Sequence, residues 1–166
     1  MRKRTRSGAA AGLLAASLLA GSIVGVVWGF SRPAYVGVVV GDGVEVDQIA
    51  TPDSAEFASL GWFVILTAVL GAAVAALAYA RAHRGPAMLG WVMVTSLGGA
   101  FATYTFGEGV AHLASADPSA FSEGARLSVV PALYPGTGWL AAPCLAALTY
   151  WLLSVVGELD TASAKN

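Results

Sequence analysis

Residues 58–80 contain no charged side chain, and residues 87–107 contain none either. Each run is long enough to cross a bilayer core of about 30 Å at about 1.5 Å per helical residue. Only Arg81-Ala82-His83-Arg84-Gly85-Pro86 lies between them. The stretch reads as a tight hairpin between two membrane-spanning helices. Gly85 suits the φ > 0 position that often ends a helix. Pro86 suits the first turn of the next helix, where its missing N–H costs nothing. Arg81 and Arg84 sit where the helix macrodipole is negative. Positive charge in a short loop predicts the cytoplasmic side.

Two further charge-free runs, 8–30 and 138–157, complete the pattern. The first comes after a basic cluster, Arg2, Lys3, Arg4 and Arg6. A basic stretch before an apolar run is also the pattern of a secretory signal. Here the run is about twice as long as a usual signal core, so an uncleaved first helix is expected. Charged residues make up 11% of the chain and hydrophobic ones 57%, whereas a soluble domain carries roughly 25% charged. The expected fold is an all-α membrane protein, one four-pass domain over 1–166. Its helices run over about 8–30, 58–80, 86–107 (extensible to about 114) and 138–157, with a small extracytoplasmic β-hairpin and loop region in segments 31–57 and 108–137.

Charge fixes the expected orientation. Seven of the nine Lys and Arg fall on the hairpin side: Arg2, Lys3, Arg4, Arg6, Arg81, Arg84 and Lys165. Only Arg32 and Arg126 fall on the other. Both termini are therefore expected in the cytoplasm. Asp42, Glu45, Asp47, Asp53, Glu56, Glu108, Asp117 and Glu123 make the outer surface acidic, which favours basic partners. A net charge of −1 leaves no nucleic-acid footprint.

Tyr35–Val40 is rich in β-branched residues, Gly41-Asp42-Gly43 is a turn signal, and Val44–Asp47 alternates apolar and acidic. This predicts a short hairpin. A lone hairpin is marginal in water, so Arg126–Val130 is the natural third strand. The acidic residues do not match the spacing of a calcium loop. Asp53 and Glu56 fit the N-cap and N3 positions of the second helix. Pro131 to Gly138 is an apolar, proline-punctuated approach to the fourth helix, lying against the membrane surface or dipping into it, and Pro143 sits near that helix's first turns.

Small residues mark packing faces. Gly21, Gly25 and Gly29 share one face of the first helix, where another helix can approach closely. Ala68, Ala72, Ala76 and Ala80 form a similar stripe on the second, and Gly98, Gly99 and Ala102 leave room on the third. Trp62, Tyr104, Phe106 and Trp139 are placed for the outer interface, and Tyr79, Trp91 and Trp151 for the inner one.

Chemistry is sparse. If the third helix runs to about Ala114, Glu108 and His112 stand one turn apart on one face. Such a pair can bind a metal or relay a proton only if further ligands converge, and the other histidine, His83, is expected across the membrane. The simpler reading is a hydrogen-bonded pair at a helix end, with no metal and no cofactor. None of the four spans holds a charged residue or a histidine, which argues against proton relays and ion-coupled pumps. One cysteine, Cys144, and no paired histidine argue against haem and iron–sulfur sites. No nucleophile-elbow, phosphate-loop or zinc-protease motif occurs. No enzyme activity is expected.

The outer hairpin, the stretch Tyr79-Ala-Arg-Ala-His83-Arg84-Gly85-Pro86-Ala87-Met88 and the apolar loop before the fourth helix resemble a family of small four-helix actinobacterial membrane proteins. That family, found in mycobacteria and corynebacteria, is classed as a domain of unknown function. The resemblance covers roughly 24–156 and implies a plasma-membrane location in a cell with a complex envelope. It assigns no catalytic residue to this chain. The function expected is a non-catalytic accessory or scaffold subunit, in contact with membrane lipids and a membrane-protein partner. The alternative is a small transport or lipid-handling protein with an apolar groove between helices. A lateral opening between helices one and four, ending near Glu108 and His112, would distinguish the second from the first.

Overall fold

A computed structural model describes residues 2–40, 43–46, 55–82, 85–115, 122 and 124–163. The elements run α1 (Arg2–Ser31), β1 (Tyr35–Val40), β2 (Gly43–Val46), α2 (Ala55–Arg81), α3 (Pro86–Ala114), β3 (Arg126–Val129) and α4 (Ala141–Ser163). All four helices contain a stretch long and apolar enough to cross a membrane. Large apolar side chains point outward from each: Ile23, Val69, Phe101 and Leu152 among them. A helix apolar all round belongs in a core or a bilayer.

α1 begins at Arg2, earlier than the charge-free run requires. Arg and Lys are good helix formers, so the basic cluster continues the helix rather than ending it. α3 does reach Ala114. The approach to α4 winds as a 3₁₀ turn, Gly136–Leu140, before the α-helix starts. Pro143 is therefore the third residue of α4, within the turn whose N–H groups need no helical partner. Helix 4 extends to Ser163, past the expected end near 157. The expected cap at Asp53 lies outside the described residues.

α1 and α3 are parallel and tightly seated. Ser17 Oγ donates to Thr95 O at 2.8 Å, a separation of 78 residues along the chain. Gly21 on Gly99, Gly25 on Thr103 and Gly29 on Gly107 repeat that same offset. A Cβ at Gly25 would come within 2.4 Å of the Thr103 carbonyl oxygen. The three glycines thus admit α3 and pack within the bundle. Thr103 Oγ1 donates to Gly21 O at 3.1 Å across the same seam.

α2 packs on α4 by the same means, since a Cβ at Gly71 would lie 2.3 Å from Ala142 O. The expected alanine stripe is displaced. Ala76 and Ala80 are exposed and Ala68 and Ala72 half-buried, while Gly71, Ala75 and Ala78 are buried. Both sets have helical spacing, and only the neighbour decides which faces inward. α2 and α3 touch at the centre, α1 packs on α3 and α2, and α4 packs on α2 and α3. α1 and α4 lie on opposite sides of the central pair.

β1 is the middle strand of a three-stranded antiparallel sheet, order β2-β1-β3. Gly37 pairs with both Val46 and Leu127. The expected third strand is present. Gly37, Val39 and Leu127 are buried on one face, whereas Val40, Arg126 and Ser128 are exposed on the other. These strands define the sheet end of the bundle. The opposite end carries the turn between α2 and α3, where Gly85 has φ 153° and ψ 170°. That conformation is close to glycine-only.

Candidate functional site

α1 stops at a proline signal. The residue before a proline disfavours the α region, and Arg32 precedes Pro33. Ser31 Oγ caps the last turn by donating to Trp28 O at 2.9 Å. Arg32 then turns inward, with a side chain only 1% exposed.

Its guanidinium pairs directly with the Glu108 carboxylate of α3. The other terminal nitrogen donates to Pro131 O. The guanidinium carbon lies 4.9 Å from the centre of the Trp28 ring, a cation–π contact. Glu108 Oε1 also accepts the Leu133 N–H at 3.1 Å. Tyr104 Oη donates to Leu133 O at 3.1 Å, and Ser115 Oγ accepts the Val130 N–H at 3.2 Å. Segment 130–133 is thus a strap, held across the sheet end by side chains of α3 and by Arg32 at the end of α1.

Leu133, 6% exposed, is the plug beneath the strap. It packs with Trp28 and Phe63, with Tyr104 and Trp139 against them. Phe63 lies 5.5 Å from Trp28, 5.7 Å from Trp139 and 6.3 Å from Tyr104, centre to centre. Tilted and edge-to-face rings at such spacings stabilise one another beyond their burial. Trp28 Nε1, Arg32 Nε and Ser59 Oγ are buried without a hydrogen-bond partner among the described residues.

The sequence pairs Glu108 with His112, and the structure does not. Glu108 goes to Arg32, and His112 is exposed one turn further on. Among the described residues no group of three His, Cys, Asp or Glu could hold a metal. Arg32 also leaves the outer surface charge to which the sequence assigned it. Of the orientation residues, Arg81 is the exposed last residue of α2, and His83 and Arg84 lie outside the described residues. Arg2, Lys3, Arg4 and Arg6 lie on α1, and Gly21, Gly25 and Gly29 face α3.

Sequence reasoning missed Arg32, although a signal for it exists. Arg32 and Glu108 are the first charges after the runs 8–31 and 87–107. A glycine face on one helix and a glycine-rich partner would have aligned them. Chemically, the pair holds fixed charge, with Arg32 buried and Glu108 partly exposed. With the guanidinium engaged by Glu108, the Pro131 carbonyl and the Trp28 ring, the arrangement suits positioning. No family model, no curated protein and no solved structure matches the chain.

Proposed function

We propose that this is a multi-pass plasma-membrane protein with both termini and the 82–85 turn in the cytoplasm, serving as a non-catalytic accessory or scaffold subunit of a membrane or cell-envelope complex. The observation that carries this reading is how the interior is spent. Helix backbones meet at glycines, and the one buried ion pair among the described residues is consumed in holding the strap. Among the described residues, cavities of about 390 and 480 Å³ lie at opposite ends, and neither is lined by Arg32, Glu108 or any residue of α1. α1 and α4 each pack on both α2 and α3, which favours a closed bundle over an opening between α1 and α4. The seven Lys and Arg that the sequence assigns to the hairpin side support the orientation. The actinobacterial resemblance supplies the envelope setting.

Affinity purification from native membranes in mild detergent tests the proposal. A stoichiometric membrane-protein partner is expected. A homogeneous monomer or homo-oligomer carrying lipid and no partner would overturn it in favour of lipid handling. Reporter fusions at the C-terminus and within 41–54 test the orientation, and a cytoplasmic signal from 41–54 would reverse it.

A further inference from the structure

Two helix faces at the turn end are left bare by the bundle. Gly29 on Gly107 sets α1 beside α3 at an offset of 78, which brings Gly8 level with Pro86. Gly71 on Ala142 sets α4 beside α2 at an offset of 71, which brings Leu152 level with Arg81. Trp91 Nε1 donates to Ala10 O at 3.1 Å, and the Gly85 N–H donates to Tyr150 Oη at 3.3 Å, which pins both levels to the turn. α1 runs away from that turn and α4 runs towards it, on opposite sides of the central pair.

On α4 the bare face is large and apolar. Leu148, Leu152, Val155 and Leu159 follow one another at intervals of four, three and four residues, the seam spacing of paired helices, and all four are exposed. Val155 and Leu159 lie past the ends of α2 and α3, so the seam outlasts the bundle. On α1 the bare face at the same height is small. Gly8, Ala9, Gly12, Ala15 and Ala16 are exposed, and a Cβ at Gly8 or Gly12 would meet nothing within 4 Å. Farther along, the exposed residues become large, beginning with Leu18, Leu19 and Ile23. Equal height pairs Leu152 with Gly8 and Leu148 with Gly12, a bulky side chain against a gap each time. Charge follows the same match. Before Gly8, α1 holds Arg2, Lys3, Arg4 and Arg6 and no acid; after Leu152, α4 holds Glu158 and Asp160 and no base as far as Ser163. Glu158 is engaged within its own chain, so the apolar fit comes first and charge adds polarity.

We propose that α1 of a second copy of this chain docks on α4, its residues 8–16 against 144–152. Copies in one membrane share height and orientation, so their α1 and α4 meet antiparallel with these levels aligned. The two faces lie on opposite sides of one chain, so the contact is heterologous and repeats into a row or ring. The inference rests on the multi-pass reading and not on the accessory role. Cys144 is the one cysteine of the chain and is exposed. Ala16→Cys puts a second thiol at its height on the opposite side of the bundle, out of disulfide reach within one copy. Oxidation of membranes carrying this variant with copper phenanthroline should give a ladder of dimers, trimers and higher species on a non-reducing gel. Gly12→Leu added to it should abolish the ladder at unchanged abundance. Ile23→Cys, exposed but two turns farther from the turn end, should give none. Membrane-bound protein that yields no ladder, as lipid-covered faces would, overturns the docking alone; so do dimers without higher species, or an equal ladder from Ile23→Cys. Protein outside the membrane fraction overturns the multi-pass reading and the docking with it.

Discussion

Single atoms decide how closely the helices approach. At Gly25 an added Cβ would meet backbone, which cannot rotate away as a side chain does. Gly25→Val should cost about 1–3 kcal/mol, the usual penalty of overpacking. Gly12→Val should cost little, because nothing lies within 4 Å of a Cβ there. Thermal unfolding in detergent measures both, and equal losses would refute the packing role. Arg32 obeys a different rule. Breaking a buried ion pair from one side costs up to about 3–5 kcal/mol, while replacing both partners with apolar residues costs far less. Glu108 is 24% exposed, so Arg32→Met should fall below that ceiling. Arg32→Met with Glu108→Leu should regain part of the loss, and a double variant no more stable than the single would show that the pair is not the cause. His112→Ala should leave abundance and partner capture unchanged, as its side chain is exposed and Glu108 is engaged elsewhere. A drop in partner capture at normal abundance would restore the Glu108–His112 site.

The strap shows how far elements were legible. All four helices, the hairpin and a third strand beside it emerge from charge-free runs and β-branching, which are local signals; that this strand pairs with β1 is shown only by the structure. The fold of 130–133 depends on side chains from α3 and from the end of α1, and nothing within Val130–Leu133 announces them. Arg32 and Glu108 were readable as contributions to sided charge, since that sum needs no partner. Their union needs the register of α1 on α3. Side-chain faces failed similarly: the alanine stripe on α2 has the right period and the wrong neighbour. If the strap is a stabilising element, Leu133→Ala should cost about 2–5 kcal/mol through the cavity left among the rings. Tyr104→Phe should cost about 1 kcal/mol through one lost hydrogen bond. Limited proteolysis of Leu133→Ala should cut first within 130–135, and cleavage that begins elsewhere would mean the plug does not hold this segment.

At the scale of the molecule, the seven cations that the sequence assigns to the hairpin side act together. Replacing Arg81 and Arg84 with Glu removes two of the seven and puts negative charge at the shortest connection between helices. Insertion or assembly should fail in part, seen as lower abundance and mixed sidedness of a C-terminal reporter. Unchanged abundance and sidedness would leave Arg2, Lys3, Arg4 and Arg6 as the sole determinants. The constant offset between α1 and α3 has a further consequence, in time rather than space. α1 cannot close on its mate until a further 78 residues have been made, which takes about 4–16 s at ordinary synthesis rates. α2 waits likewise for α4. Successive hairpins therefore cannot fold and leave one after another: the two pairings interlock, and the bundle completes only as the last helix emerges. If the chain enters a bilayer as proposed, Gly21, Gly25 and Gly29 of α1 have no α3 to cover them for those seconds.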